Sequence, residues 1–207
     1  MSAIPVRLLT EEEYLAIEEQ ATYKSEFYDG IMYPIQPPPD VIGMAGSSID
    51  HNQIKDNIAR ELGNALAGGP CRTMSSDLKI RTDSTRSYSY PDVVVFCGAP
   101  VFPVKKRRDV ISNPTLIIEV LSDSTEKYDR GGKFERYKTL ATLREYVLVA
   151  QNLISAERFV RQPDGSWAVT EYTDPAGSLP FTSVPADIPL AAIYRHVEFP
   201  EEPALGS

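Results

Sequence analysis

Apolar positions recur along this 207-residue chain with periods that change from helical to extended and back, and the changes mark its elements. Near the start, Thr10 with Glu13 three residues on makes a capping box, and Tyr14, Leu15 and Ile17 add a short apolar stripe. This predicts a helix over residues 11–19, short enough to act as a lid or a support. Two strand-like runs, residues 24–28 and 31–35, flank Asp29-Gly30, whose tolerance of left-handed backbone suits a two-residue hairpin turn. Gln36-Pro37-Pro38-Pro39-Asp40 cannot donate ladder hydrogen bonds through its prolines and reads as a linker. From Ser48 onward, Ile54, Ile58, Leu62 and Leu66 repeat every four residues, the longest helical signal, and Gly68-Gly69-Pro70 ends it.

Three strands are expected next. Residues 71–81 alternate around Leu78 and Ile80, residues 88–97 contain Val93-Val94-Val95-Phe96, and residues 115–121 are almost wholly apolar. Continuous apolar runs of this length suit strands covered on both faces. Phe134, Tyr137 and Leu140 then recur every third residue in a second helical stretch, residues 125–140, and residues 145–150 read as a fourth strand. Residues 155–161 and 167–172 flank Pro163-Asp164-Gly165-Ser166 as another hairpin, and residues 190–194 form a last helical turn. The expected architecture is α/β: helix, three strands, helix, strand, with an N-terminal helix and hairpin and a C-terminal hairpin. It forms one domain over residues 1–197, followed by a flexible acidic tail, residues 198–207.

Hydrophobic residues make up 42% and charged residues 24%, ordinary globular values that exclude collagen-like and disordered classes. The net charge of −8 rules out a surface that attracts polyanions as a whole, so any contact with nucleic acid must be local or metal-assisted. Two cysteines, Cys71 and Cys97, fall in expected core strands, and the N-terminal residues have no apolar export segment. Both features predict reduced thiols in the cytoplasm, without catalysis by cysteine. No apolar run reaches the roughly 18 to 20 residues a membrane span requires, so no membrane association is expected.

One residue breaks the pattern. Glu119, inside Leu116-Ile117-Ile118-Glu119-Val120-Leu121, puts a carboxylate in an otherwise buried strand, at a cost of several kcal/mol unless it is paired or metal-bound. Asp92 opens another apolar strand after Tyr90-Pro91, and neighbouring strands would bring both acids to one end of a sheet. Hard oxygen ligands of this kind favour Mg²⁺ or Mn²⁺. The structural alternative makes Asp92 a turn cap beside Pro91, and Glu119 a buried ion pair with Lys133 or Arg130. Lys133 follows Asp129 by one turn and precedes Tyr137 by one on the same helix face. It would either stabilise charge on an attacked phosphate or form a surface pair with Asp129 worth ~0.3 to 0.5 kcal/mol. The neighbouring Gly131-Gly132 matches no phosphate-binding loop and is assigned to helix-start geometry.

His51, near the start of the long helix, is a candidate general base, and Asp77 and Asp129 are accessory acids. The run Lys105-Lys106-Arg107-Arg108 lies in the long loop between the Asp92 and Glu119 strands, where it would meet a nucleic-acid backbone. Arg81, Arg86 and an exposed Tyr88 would extend that track.

In this order, Tyr90-Pro91-Asp92-Val93-Val94-Val95, Pro114-Thr115-Leu116-Ile117-Ile118-Glu119-Val120-Leu121-Ser122, Ser124-Thr125, Asp129-Arg130-Gly131-Gly132-Lys133 and Glu145-Tyr146-Val147-Leu148-Val149 resemble the PD-(D/E)xK nuclease superfamily. The likeness is to a bacterial family of restriction-endonuclease-like proteins within it, and it covers roughly residues 11–172. It implies a restriction-endonuclease-like core of a helix, three antiparallel strands, a helix and a strand. It also implies Asp92 and Glu119 as metal ligands, the Val120 carbonyl as a further ligand, and Mg²⁺- or Mn²⁺-dependent cleavage of nucleic acid, with DNA as substrate, by a homodimer. The superfamily lysine two residues after the glutamate is Leu121 here, and Lys133 on the following helix would replace it. The other reading is a non-cutting module of the same fold that binds nucleic acid or protein, with Glu119 as a structural ion pair.

Overall fold

The computed structural model describes residues 7–35, 48–75, 77–82, 86–105 and 107–199. The proline linker at residues 36–40, Lys106 and the tail beyond residue 199 lie outside them. Helix α1 (Glu11–Gln20) starts at the expected capping box: Thr10 Oγ1 accepts the Glu13 N–H at 3.2 Å, and the Glu13 carboxylate accepts the Thr10 N–H at 2.9 Å. Strands β1 (Lys24–Tyr28) and β2 (Ile31–Ile35) form the first hairpin. Its turn residues have φ of 52° at Asp29 and 76° at Gly30, as a tight hairpin turn requires. A Cβ on Gly30 would stand 2.6 Å from that of Leu8, so glycine also lets the chain before α1 lie against the turn.

Helix α2 (Ile49–Ala65) is capped by Ser48, whose Oγ accepts the His51 N–H at 3.0 Å. After it, two of the expected strands each divide. Residues 71–82 hold β3 (Cys71–Ser75) and β4 (Lys79–Thr82), and residues 87–97 hold β5 (Ser87–Ser89) and β6 (Val93–Cys97). Strand β3 pairs with β6 in one sheet while β4 pairs with β5 in another, so one antiparallel ribbon bends from sheet to sheet. The bend on the β5–β6 side falls at Tyr90-Pro91-Asp92, where proline has no N–H for a continuing ladder. Strand-like residues resume directly on either side of the bend, which is why the sequence reads as unbroken strands.

Strands β7 (Val110–Ile111), β8 (Leu116–Leu121), β9 (Glu145–Ala150), β10 (Ala156–Arg161) and β11 (Trp167–Tyr172) complete two sheets. The larger has the order β11-β10-β9-β8-β6-β3, with β8 and β9 parallel and its other pairs antiparallel. The smaller has the order β2-β1-β5-β4-β7. Val93, Val95, Leu116, Ile118, Val120, Val147 and Val149 pack with Ile54, Ile58, Leu62 and Leu66 of α2. The alternate set, Val94, Phe96, Ile117, Leu121, Tyr146 and Leu148, packs with Phe134, Tyr137 and Leu140. Side chains alternate along a strand, so Glu119 shares the second face with Ile117 and Leu121.

The second core helix is not continuous. Short α-helical pieces α3 (Glu126–Tyr128) and α4 (Phe134–Tyr137) flank a π-helical turn, Asp129–Lys133, so Gly131-Gly132 stands mid-helix rather than at a start. Glycine's low helix propensity suits a widened turn. Beyond β11, β12 (Ser178–Pro180) and β13 (Asp187–Pro189) form a short ribbon that the sequence pattern did not indicate, and α5 (Leu190–Ile193) closes the core over α2.

The two cysteines are joined, not reduced. Cys71 and Cys97 are direct cross-strand partners of β3 and β6, with Cα atoms 3.9 Å apart, and form a disulfide. Sequence spacing alone does not reveal that register. Closing a loop of this size corresponds to about 3.5 kcal/mol on the chain-entropy account. Reduction, or paired Cys71→Ser and Cys97→Ser substitutions, should lower the urea midpoint accordingly; an unchanged midpoint would show that the link is energetically idle. A second prediction concerns Asn57, fully buried on α2, whose Nδ2 donates to the carbonyls of Ile193 at 2.8 Å and Arg195 at 2.9 Å. Asn57→Ala should destabilise the fold by about 2 kcal/mol in equilibrium unfolding, because two C-terminal carbonyls lose their donor.

Candidate active site

The bend between β5 and β6 and the end of β8 meet at one point. Strand β6 starts at Val93, paired with Ile118, so Glu119, Val120 and Leu121 extend beyond it. Continuing that register would set Pro91 opposite Val120, and proline has no N–H to offer the Val120 carbonyl. Asp92 replaces the missing ladder with its side chain. Its Oδ2 accepts the Val120 N–H at 2.9 Å, and the Asp92 N–H is given to Glu119 Oε2 at 3.2 Å. This reciprocal clasp holds the two carboxylates side by side. A strand residue directs its N–H and C=O to the same edge, so the Val120 carbonyl also faces this side.

The π-helical turn delivers a cation to the same place. Lys133 Nζ lies 2.9 Å from Glu119 Oε1, 3.3 Å from the Tyr90 carbonyl, 3.4 Å from Asp129 Oδ1 and 3.7 Å from Glu26 Oε1. The Lys133 side chain is 7% exposed, so the expected surface pair with Asp129 is instead a buried one. The expected alternative partner, Arg130, is turned outward onto Glu126 and Glu157, at 2.6 Å each. His51 joins from the first turn of α2, its Nε2 3.3 Å from Asp92 Oδ2, while its Nδ1 is buried without a hydrogen bond.

Three carboxylates therefore face one ammonium, with Asp92 beside them on His51. Burial pushes the Glu119 carboxyl well above the usual carboxylate range, and the Asp129 and Asp92 charges add to this against the pull of Lys133. Burial alone would lower Lys133, but Glu119, Asp129 and Glu26 outweigh it and keep the ammonium charged. For Asp92, burial is outweighed by the hydrogen bond and charge of His51, by Lys133 and by the Val120 N–H, which hold its carboxyl below the usual range. Its side chain is 22% exposed, so it is the acid open to an arriving ion.

The donors suit a hard divalent cation: Asp92 and Glu119 carboxylates, with the Val120 carbonyl facing the same side. Glu119 Oε1, although close to Lys133, makes no hydrogen bond of proper geometry and keeps lone-pair capacity. Among the described residues no three His, Cys, Asp or Glu side chains form a ready-made metal cage. Mg²⁺ does not need one, since it keeps several waters and is held by one or two carboxylates.

Other expected residues lie elsewhere. The Asp77 side chain is 81% exposed and pairs with Lys24, because the β3–β4 bend turns it outward. Tyr88 is fully buried rather than exposed: it packs on Tyr14 and Phe27 between α1 and β5 and donates its hydroxyl to Glu11. Arg81 also pairs with Glu11, at 2.6 Å. The basic run does not present a uniform track. Lys105 is exposed, Arg107 folds back onto Asp109 at 2.7 Å, and Arg108 lies over the Phe102 ring at 4.9 Å. Lys106 is outside the described residues. Arg86 is exposed. A groove of about 770 Å³ opens beside Asp92, walled by Lys24, Lys55, Lys79 and Arg107 and equally by the acids Glu18, Glu19 and Asp109, with Lys79 and Arg107 paired to those acids.

Glu26 was not indicated by the sequence. It belongs to the N-terminal hairpin, where an acidic residue between Ser25 and Phe27 reads as a solvent-facing position. Packing of the smaller sheet against the π-helical turn buries it. Its Oε1 accepts the Tyr90 N–H at 3.1 Å, and its Oε2 accepts the Tyr128 hydroxyl at 2.5 Å.

This architecture is that of the restriction-endonuclease-like fold. It is similar to a crystal structure described as a "putative nuclease belonging to DUF820 from Anabaena variabilis ATCC 29413", with a TM-score of 0.69 at 14% identity over 90% of this chain and 97% of that one. The family model "Uma2: Putative restriction endonuclease" matches residues 11–192, and the chain belongs to that family. Two relatives come from Synechocystis sp. (strain ATCC 27184 / PCC 6803 / Kazusa). "Uncharacterized protein slr1290" is 35% identical over 195 residues, 94% of this chain and 96% of the relative. "Uncharacterized protein sll1609" is 36% identical over 171 residues, 83% and 91% respectively.

The charge arrangement makes a prediction about pH. A carboxyl whose folded pKa is raised contributes stability that is present below its unfolded pKa and lost as the pH rises through the folded value. Without added divalent cation, the native protein should therefore lose stability relative to Glu119→Gln as the pH rises from the ordinary carboxylate range, about 4.3, through neutrality. Urea midpoints of both proteins across that range check it. A gap that stays constant would mean that Glu119 is fully compensated by Lys133.

Proposed function

We propose that the protein is a Mg²⁺- or Mn²⁺-dependent nuclease that hydrolyses phosphodiester bonds, with DNA as substrate. The observation that carries this reading is the meeting of Asp92, Glu119 and Lys133 where β8 runs past the start of β6. Asp92 and Glu119, with the Val120 carbonyl, would hold the ion. When bound, such an ion lowers the pKa of a coordinated water and supplies positive charge at the scissile phosphate. Asp92 arrives ionised and oriented, because Val120 N–H and His51 fix its Oδ2. Lys133 provides a cation, retained inside the protein, for the negative charge that develops on the attacked phosphoryl group. Its buried seat keeps that charge in a low-dielectric setting where it acts strongly.

The groove beside Asp92 gives the substrate strand its approach, with the Lys55 and Lys24 side chains among its walls. An acidic chain binds a polyanion only where such local cations and a bound ion offset repulsion. Two-fold pairing of the chain would set one centre against each strand of a duplex.

The test is incubation of the full chain with supercoiled plasmid and with single-stranded DNA in Mg²⁺, Mn²⁺ or EDTA. Cleavage should require the ion, disappear in Asp92→Ala and Glu119→Ala, and fall about 100-fold or more in Lys133→Ala. Equal cleavage by the native protein and all three variants would mark a contaminating nuclease. DNA binding without any cleavage would favour the non-cutting module, with Glu119 and Lys133 as a structural pair.

A further inference from the structure

Lys133 and a divalent cation compete for Glu119. The ammonium lies 2.9 Å from Glu119 Oε1, the same carboxylate that the proposed function assigns to the ion. An ion arriving at Glu119 repels the ammonium at short range, and a buried ammonium cannot withdraw into water. It needs another seat within the protein. Asp129, one turn before Lys133 on the same helical segment, accompanies it in any position and offers no new place. Glu26 does. Its Oε1 is 3.7 Å from Nζ, about an ångström beyond a short ion pair, and the Tyr90 carbonyl lies 3.3 Å from Nζ. Because Glu26 Oε1 also accepts the Tyr90 N–H, the carboxylate and the Tyr90 peptide form one rigid acceptor site.

Glu26 is itself held from the other side. Its Oε2 accepts the Tyr128 hydroxyl, and Arg136 donates to that hydroxyl while stacking over Tyr28 with its guanidinium carbon 4.2 Å from the ring centroid. Two other segments thus converge on this β1 carboxylate: the bend before Asp92 and the helical segment that carries Lys133. A buried acid with this many fixed partners exceeds what hairpin packing requires.

We infer that Glu26 is a positioning residue of the site, the second anchor onto which Lys133 shifts when a divalent cation takes Glu119. The inference rests on the reading of Asp92 and Glu119 as metal ligands. The exchange lets the ion bind without expelling the ammonium, so both charges stay beside the phosphate. Glu26 touches neither substrate nor ion and acts through Lys133.

Mn²⁺ affinity of the full chain, measured by calorimetry or by the loss of the free-ion electron-spin signal, tests this in a double-mutant cycle. Glu26→Gln keeps the shape and a carbonyl acceptor for the Tyr90 N–H but removes the anchoring charge. It should weaken Mn²⁺ about tenfold, the low end for loss of a charged hydrogen-bond partner. In a Lys133→Met background, where no ammonium has to move, the same change should alter affinity less than about twofold. An equal loss in both backgrounds would overturn the inference, because Glu26 would then attract the ion directly through space. Failure of Glu26→Gln to weaken Mn²⁺ would overturn it as well.

If Lys133→Met does not fold, the ammonium nitrogen resonance of Lys133 during Mg²⁺ titration replaces the cycle. It should move and stay sharp in the native protein and broaden by exchange with water in Glu26→Gln; identical behaviour overturns the inference. Absence of any Mn²⁺ binding by the native chain would instead overturn the metal-site reading on which the inference stands.

Discussion

The buried ammonium of Lys133 organises the candidate site. Lys133 is shared among Glu119 of the larger sheet, Glu26 of the smaller sheet, Asp129 of its own helical segment and the carbonyl of Tyr90 at the bend between sheets. No other described residue pairs with acids from both sheets in this way. Each carboxylate would be costly to bury alone, and each is admitted because the others hold the same cation in place. The cluster still carries more negative than positive charge. A core built from apolar strands and a π-helical turn therefore contains a site whose electrostatics favour an additional cation.

The clasp between Asp92 and the Glu119–Val120 backbone shows how the fold creates that site from a defect. Pro91 stops the ladder between β6 and β8, and the vacated hydrogen-bonding positions are taken over by a carboxylate and its own N–H. The same bend carries the chain from one sheet to the other. Structural need and chemical opportunity coincide here, since unpaired backbone groups at a sheet edge must find partners. His51 and the Val120 N–H then hold the Asp92 carboxyl below the usual carboxylate range, whereas burial and the neighbouring acids push the Glu119 carboxyl above it against the pull of Lys133. Two acids a few ångströms apart thus differ because one lies at the mouth of the site and the other in its wall.

Much of this was legible in the residues. The capping box, the Asp29-Gly30 turn, the four-residue repeat of α2 and the apolar runs of β8 and β9 follow from local chemistry and periodicity. Asp92, Glu119 and Lys133 were visible as charges that broke, or adjoined, apolar patterns. Glu26 and the buried Tyr88 were not, because each stands in a short hairpin-like run where polar and aromatic residues commonly face solvent. Only the packing of α1 and of the π-helical turn on the smaller sheet removes them from water. The basic run at residues 105–108 misled in the opposite sense: in sequence it is a block of like charge, but in space Arg107 answers Asp109 and Arg108 covers Phe102.

The sequence by itself determined the principal helices and apolar strands and marked Asp92, Glu119 and Lys133 as candidates. Each depends on interactions within a few residues, or on a pattern that repeats. Tertiary structure alone decided that the ribbon bends between two sheets, that Cys71 meets Cys97, and that Glu26 and His51 join the acids. These depend on register and on the approach of segments distant along the chain, where sequence carries no local signal and only the combined packing of both sheets selects one arrangement.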